Sequence, residues 1–454
     1  MMRASFVAAV LALAGCSSPA PESGSESPVS PTPQAVAAPE KPVAAAVVPK
    51  KAEVVAEPEP EKPMWKPRPE DEVTPHHAIE NPEALHYFYD QLAALDDGET
   101  KVVRVVHLGA SMIGMDDLPS VMRNKFQTRF GDGGAGLVLL QRYMSNYIHR
   151  WVDLKGKGWE QCYIGYLCKG DGHYGLGGAT FWSAGGASTK VSNRKEGLGS
   201  HSSHLEIWYA GQRRGGRLKV QVDDAEPVVV ETAADALEDR FHTIEVADGR
   251  HSVTVRPGGG GQVRAYGVVL ETDKGLVWDQ FSWLGAFTKR MHAWNDEHIA
   301  AQVKQRDPAL LVFTFGGNDT RRIANKKIKP AQYTAEFVKG IMKVRAGKPD
   351  ASCLVTAMTD RARSLDFDVT AVLGDVVEAQ RQAAEEAGCA FFDSFTAMGG
   401  KGSLAAWRRK KPPLAAPDRK HLNHAGREVL GGWMYDALIA GYVERRRSAG
   451  LTMR

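Results

Sequence analysis

The arrangement of strand-like and helix-like segments constrains the fold more than any other feature of the sequence. An apolar, β-branched run over 101–108 is followed by a tight turn at 109–111 and a helical pattern over 118–130. The alternation resumes at residue 272 and ends with a helical pattern at 422–443, with strand-like runs at 276–281, 309–315, 353–356 and 390–393. Strands that alternate with helices predict an α/β fold, in which helices cover both faces of a parallel sheet.

Residues 151–271, between these two parts, have a different pattern. Glycine is frequent there, and short strand-like runs alternate with turns, without a helical pattern of useful length. Short, regularly spaced strands are typical of a β-sandwich. We therefore predict one α/β domain, made of 76–150 and 272–454, which an all-β sandwich interrupts after the first strand–helix unit.

The N-terminus has the pattern of an export signal. An apolar run over 4–14 follows Arg3; it is too short to span a bilayer but suits the core of a signal peptide. The segment Leu13-Ala14-Gly15-Cys16 resembles the bacterial lipobox, which implies cleavage after residue 16's predecessor and a lipid on the Cys16 thiol. Ser17 rather than Asp follows, which implies the outer membrane, facing the periplasm or the cell surface. An ordinary secretory signal with an accidental cysteine is the alternative.

A tether is predicted between this signal, 1–16, and the folded part. Residues 17–75 are rich in Pro, Ala, Glu, Lys and Ser. Such a composition cannot bury a hydrophobic core, so we expect an extended, disordered segment. It would hold the domain away from the membrane to which Cys16 attaches it.

The composition of the whole chain argues against two further kinds of interaction. The formal net charge is only +3 over 454 residues, and no long basic run is present, so nucleic acid is not expected as a partner. No apolar run reaches the roughly eighteen residues that a membrane-spanning helix needs. Attachment to a membrane is therefore expected through the lipid alone.

Four cysteines remain besides Cys16. Cys162 and Cys168 are close together and flanked by turn residues, so a local disulfide is plausible in an exported protein. Cys353 and Cys389 each open an apolar segment, which favours free buried thiols. No Cys/His spacing resembles a zinc site.

Residues suited to ester hydrolysis stand at the ends of the predicted elements. Ser111 follows the first strand, where open α/β folds place ligands. Gly285 and Asn318 each follow a later strand, and a backbone N–H or a side-chain amide can bind a developing oxyanion. Asp418 stands three residues before His421, so its carboxylate can bind one ring nitrogen and leave the other for a serine. Taken singly, these residues also fit a helix cap, a turn glycine or an Asx turn.

Taken in order, the residues Ser111, Gly285, Asn318 and His421 resemble the four blocks of the SGNH hydrolases, also called the GDSL family. The resemblance implies a flavodoxin-like three-layer domain with a parallel sheet. It implies a triad of Ser111, His421 and Asp418, and an oxyanion hole formed by Ser111, Gly285 and Asn318. It also implies a serine esterase that needs no metal and no organic cofactor.

Three further segments, 107–111, 129–134 and 397–400 with Trp407, are similar to a subgroup of periplasmic members of this family. That subgroup carries a jelly-roll-like insert at this place and includes peptidoglycan O-acetylesterases. The implied substrate is an O-acyl ester, O-acetyl above all, on a cell-envelope glycan such as peptidoglycan.

Two other functions stay open. The same residues could transfer an acetyl group to a glycan, or the chain could be a non-catalytic glycan-binding envelope lipoprotein. Aromatic residues in sandwich strands are usually core, but three of those in the insert could stack on sugars: Trp182, Trp208 and Tyr209.

Ala110 departs from the family pattern, in which an aspartate precedes the serine. That aspartate is not the triad acid, so catalysis is not excluded, but alanine cannot accept hydrogen bonds that would hold the turn. Packing or another polar group must hold it instead. If the enzyme is active, we expect Ala110→Asp to leave its activity unchanged or to raise it.

Overall fold

The computed structural model describes residues 65–452 except 145–146 and 363–367, with side chains up to residue 449. The predicted signal peptide, Cys16 and the tether up to residue 64 lie outside the described residues. Within the described part, none of the helices is both long enough and apolar enough to cross a membrane.

The first part of the α/β domain is a helix–strand–helix unit. It consists of α1 (His86–Asp96), β1 (Val102–Gly109) and α2 (Asp117–Phe130). Six of the eight β1 residues are buried, as expected for a central strand that is covered on both faces. A short 3₁₀ segment, Ser111–Asp116, links β1 to α2.

The insert is all-β, with two antiparallel sheets. Its strands are β2 (Gly134–Leu139), β3 (Val152–Lys157), β4 (Glu160–Tyr163), β5 (Ala179–Ser183), β6 (Ser188–Asn193), β7 (Ser202–Gly211), β8 (Arg217–Val222), β9 (Val228–Glu231), β10 (Glu238–Gly249), β11 (Ser252–Pro257) and β12 (Val263–Glu271). One sheet has the order β10-β7-β12-β5-β4 with β2 paired to β12, and the other has the order β3-β6-β11-β8-β9.

Strand β2 begins before residue 151, the expected boundary of the insert. It pairs with β12 in register, with Val138 opposite Val268. Glycine weakens the strand pattern of a sequence, and β2 contains two glycines, which is why the sequence did not indicate it. The sheet of the insert therefore begins at Gly134.

The second part of the α/β domain completes the parallel sheet. Its elements are β13 (Gly275–Ser282), α3 (Asp296–Arg306), β14 (Leu310–Thr314), α4 (Asp319–Ala324), α5 (Pro330–Arg345), β15 (Ser352–Thr356), α6 (Leu373–Glu386), β16 (Ala390–Phe392), α7 (Ser394–Ala397), α8 (Ser403–Arg409) and α9 (His424–Thr452). The order β13-β1-β14-β15-β16 is parallel throughout.

Alternate residues of β1 serve two hydrophobic clusters, one on each face of this sheet. Val105 packs with residues of α1, α2 and α9, whereas Val106 packs with residues of α3, α5 and α6. This is the period-2 geometry of a strand between two helical layers. The predicted α/β fold with an all-β insert is confirmed. The cluster that contains Val106 continues into the insert, where Trp208 is fully buried.

The last residues of the predicted tether, 65–75, pack on the α/β domain. Asp71 is 1% exposed and accepts hydrogen bonds at 2.6 and 2.7 Å from Arg129 near the end of α2. Arg129 also binds Asp96 at 3.0 Å. The composition of this segment pointed to disorder, but a buried charge is retained only with a partner, and that partner lies 58 residues away.

Both cysteine pairs form disulfides. The bond between Cys162 and Cys168 agrees with the expected local bridge. The bond between Cys353 and Cys389 corrects the expectation of free thiols. Cys353 lies in β15 and Cys389 directly precedes β16, so the parallel pairing of these strands brings the two Cα atoms to 4.6 Å.

Candidate active site

Three predicted residues follow neighbouring strands of the parallel sheet. Ser111 follows β1, Gly285 follows β13 and Asn318 follows β14, and these strands are adjacent in the order β13-β1-β14. The carboxyl ends of parallel strands meet at one edge of the sheet, which is where such folds bind ligands. The sheet therefore collects these residues at a single edge.

The Ser111 hydroxyl, the His421 ring and the Asp418 carboxylate form a chain of hydrogen bonds. Ser111 Oγ lies 2.8 Å from His421 Nε2, and His421 Nδ1 lies 2.6 Å from Asp418 Oδ2. The other Asp418 oxygen accepts a 3.0 Å bond from the His421 backbone N–H. With the ring proton on Nδ1, Nε2 is free to accept the serine proton, which is the arrangement that nucleophilic catalysis requires.

The environment of His421 favours the neutral ring. Burial lowers the pKa of His421, the bond to Asp418 opposes this, and the positive charges of Arg361 and Arg427 lower it further. Partial burial acts to raise the pKa of Asp418, but hydrogen bonds from the His421 ring and two backbone N–H groups outweigh it and lower that pKa. The result is a neutral base beside an ionised acid.

This predicts activity that persists into mildly acidic solution. A general base works only when it is unprotonated, so kcat/KM should fall as the pH drops through the pKa of His421. Because that pKa is lowered, the midpoint of the fall should lie below the ordinary histidine value of about 6.5. Acetate release from a small acetyl ester, followed between about pH 4 and pH 9, measures it. A midpoint at or above about pH 7 would contradict the inferred environment.

The loops after β13 and β14 are held together at the same edge. Gly285 has a φ of +69° and open space around its Cα, so its backbone can face a ligand without a side chain in the way. Asn318 Nδ2 donates one hydrogen to Ala286 O at 2.9 Å, which leaves the second amide hydrogen for another acceptor. Buried Asp319 accepts a 3.1 Å bond from the Thr288 backbone, which ties the two loops together.

The turn at Ala110 is fixed by its neighbours rather than by an aspartate. Ala110 is 4% exposed, and its N–H donates to Thr314 O at 3.0 Å. The Ser282 hydroxyl donates to Ala110 O at 3.2 Å. Both contacts come from adjacent strands of the sheet. The turn thus has support that an alanine side chain does not need to supply.

Arg427 is a further support of the turn that the sequence did not reveal. This side chain of α9 is 6% exposed and is paired with Asp117 at 2.7 Å. Its guanidinium donates to Ser111 O at 3.3 Å and to Gly114 O at 3.0 Å. An arginine one turn into the helix that follows His421 was the only available sign, and many helices carry one. Arg427 thus links the helix after the histidine to the backbone of the serine.

The family comparison agrees with this geometry. Residues 248–429 match the model of the GDSL-like lipase/acylhydrolase family, a range that contains Gly285, Asn318, Asp418 and His421. The chain is an SGNH hydrolase. Ser111 lies outside the matched range because the insert separates it from the other blocks. No curated protein matches the sequence of this hydrolase.

Solved structures share the fold of the hydrolase. A peptidoglycan O-acetylesterase matches with a TM-score of 0.66 and 19% identity, over 83% of this chain and 99% of that one. An acetyl xylan esterase matches with a TM-score of 0.28 and 16% identity, over 36% and 81%. A family two carbohydrate esterase from Cellvibrio japonicus matches with a TM-score of 0.24 and 11% identity, over 62% and 99%. The hydrolase is a serine esterase, and its expected family is confirmed.

Proposed function

We propose that this esterase hydrolyses O-acetyl groups on a cell-envelope glycan, with peptidoglycan as the leading substrate. The observation that carries the proposal is the hydrogen-bonded chain from Ser111 through His421 to Asp418 at the edge of an SGNH sheet. Likeness in fold to a peptidoglycan O-acetylesterase, over nearly all of that chain, supports the choice of substrate. The lipobox-like segment that ends at Cys16 supports an exported, membrane-anchored enzyme, which would meet such a glycan.

The proposed reaction follows the order of these contacts. Ser111 Oγ attacks the ester carbonyl while His421 Nε2 accepts its proton, and Asp418 stabilises the imidazolium. His421 then gives the proton to the departing sugar oxygen, and water hydrolyses the acetyl-enzyme by the reverse proton path. The N–H groups of Ser111 and Gly285 and the Asn318 amide would bind the oxyanion, each such donor contributing about 3 kcal/mol.

An exposed tyrosine beside this site favours a sugar polymer as substrate. Tyr166 is 68% exposed on the 162–168 loop, which the disulfide closes. Its ring contacts that of Tyr163 edge-on at 5.3 Å, and the Tyr163 hydroxyl donates to Leu284 O at 3.1 Å, next to Gly285. A large, rigid apolar face in this position can stack on a sugar ring. Trp208 and Tyr209, in contrast, are buried in the core of the insert.

The test of this function is acetate release from O-acetylated peptidoglycan with water as the only acceptor. We expect release by the wild type, which also separates hydrolysis from transfer to a second glycan. Tyr166→Ala should lower kcat/KM on the polymer by roughly three- to tenfold, the value of one aromatic contact, and leave a small acetyl ester unaffected. Val229→Ala, an exposed apolar position in β9, is the matched control. Cleavage of the small ester without acetate from any acetylated glycan would overturn the proposal.

A further inference from the structure

Basic residues are concentrated just before the catalytic histidine. Between residues 401 and 420 the chain has seven lysines and arginines and a single acid, Asp418. All seven basic side chains are exposed: Lys401, Arg408, Arg409, Lys410, Lys411, Arg419 and Lys420. A run of charge is often only a solvated surface, so the arrangement of these side chains decides its meaning.

Several of them border a groove rather than a flat surface. A cavity of about 570 Å³ lies between α8, which contributes Arg408 and Arg409, and residues 416–419 of the loop that carries Asp418. Ala362 forms part of its lining and donates a backbone hydrogen bond to Arg419 O at 3.1 Å. We call this cavity the basic groove. It shares a wall with the Asp418–His421 pair, so a molecule lying in it would be next to the triad.

Arg361 extends the positive charge from the basic groove to the oxyanion loop. It precedes Ala362, is only partly exposed, and lies so close to Gly317 that a Cβ there would overlap its guanidinium. Gly317 is adjacent to Asn318. In the part of the chain that the structure describes, no carboxylate lies within ion-pair distance of Arg361, Arg408 or Arg409. These cations therefore have no internal partner in that part and are available to an anion.

We propose that the basic groove and Arg361 bind carboxylate groups of an acidic, acetylated glycan, so that the esterase prefers an anionic polymer to a neutral one. The inference rests on the proposed function and narrows its substrate class. Guanidinium groups bind carboxylates in a planar, two-point geometry, which suits arginine more than lysine. The carboxylates could belong to acidic sugars or to peptides attached to the glycan. A position next to the triad favours the substrate over a membrane surface as the anionic partner.

The substrate's place across the sheet edge follows from the strand order. Tyr166 lies beside the loop after β13, whereas Arg361 and the basic groove follow β15 and β16, on the other side of β1. A glycan whose ester group sits at Ser111 can thus meet an aromatic face in one direction and positive charge in the other. A small acetyl ester is too short to reach either.

The double variant Arg408→Gln and Arg409→Gln tests the groove. We expect its KM to rise roughly tenfold on acetylated polygalacturonate and on O-acetylated peptidoglycan, with kcat unchanged and the difference largely lost at about 0.5 M salt. Acetylated xylan, a neutral polymer, and a small acetyl ester should change by less than about twofold. Amidation of the peptidoglycan carboxylates separates the two sources, because it should remove the preference only if peptides supply them.

The matched control is Lys101→Gln with Lys304→Gln, which removes two exposed charges from the opposite, amino edge of the sheet. It should leave all substrates unchanged. Arg361→Gln should weaken the same anionic substrates and also move the acid limb of the pH profile upward, because a cation near His421 is removed. A purely structural arginine would lower activity on all substrates without that shift.

Several outcomes would overturn the inference. Equal loss on anionic and neutral polymers in the Arg408/Arg409 variant would, and so would a wild type without preference for the anionic polymer. Loss of binding to anionic phospholipid vesicles with unchanged glycan kinetics would identify a membrane as the partner instead. If the wild type cleaves the small ester but no glycan, the proposed function fails, and titration of unacetylated polygalacturonate still decides whether the groove binds carboxylates.

Discussion

Replacement of Ser111 by alanine is expected to lower kcat on any acetyl ester by roughly 10^5- to 10^6-fold, as in other serine hydrolases that lose the nucleophile. The reason is that Ser111 Oγ is the atom within 2.8 Å of His421 Nε2 and no second hydroxyl takes its place in that contact. The fold should persist, since the change removes one oxygen from a site that is partly open to solvent. Acetate release and thermal unfolding, measured on the same preparation, separate the two effects.

Ser188→Ala in β6 of the insert is the matched control for Ser111→Ala, and it should retain full activity. A serine-reactive phosphonate should label the wild type and not Ser111→Ala, because labelling requires an activated serine but not the correct glycan. Labelling without turnover on any acetyl ester would place the error in the substrate. Substantial activity in Ser111→Ala would show that another group is the nucleophile.

The second large effect is expected from Asp418→Asn, with a fall in kcat of about 10^4-fold. An asparagine can turn its amide NH₂ toward His421 Nδ1, which would put the ring proton on Nε2 and remove the acceptor for the serine proton. It also removes the negative charge that raises the pKa of His421 against the effect of burial. The measurement is kcat on a small acetyl ester, which reports the chemical step without contacts to a polymer.

The control for Asp418→Asn is Asp224→Asn, an exposed position in the turn after β8, and no change is expected there. A second measurement is the pH profile: the acid limb of residual Asp418→Asn activity should move to lower pH, because His421 loses its anionic partner. Activity within about tenfold of the wild type would show that the ring does not depend on this carboxylate for its orientation.

Much of the catalytic arrangement was predictable because it depends on chain order and local spacing. Parallel strands end at one edge of the sheet, so residues directly after three strands had to meet once the alternation of strands and helices was recognised. Ser111, Gly285 and Asn318 were found in this way. The contact between Asp418 and His421 spans three residues, a distance that a single turn closes, so it too could be inferred from the sequence.

The supports of the site belong to a second class, since each joins segments far apart in the chain. Arg427 binds the backbone of Ser111 across 316 residues, and Tyr163 of the insert binds Leu284 across 121. The disulfide between Cys353 and Cys389 likewise depends on two strands becoming neighbours. No residue type or spacing in the sequence marks such partners.

What the sequence by itself determined is therefore the order of the elements and the chemistry at their ends, because periodicity and local spacing record both. Only the tertiary structure decided which side chains hold the serine turn in place of the missing aspartate, and that Tyr166 and Arg361 border the site. The physical reason is that these contacts arise from packing. A buried arginine or an exposed tyrosine is recognised by what surrounds it in space, and the surrounding residues come from several distant parts of the chain.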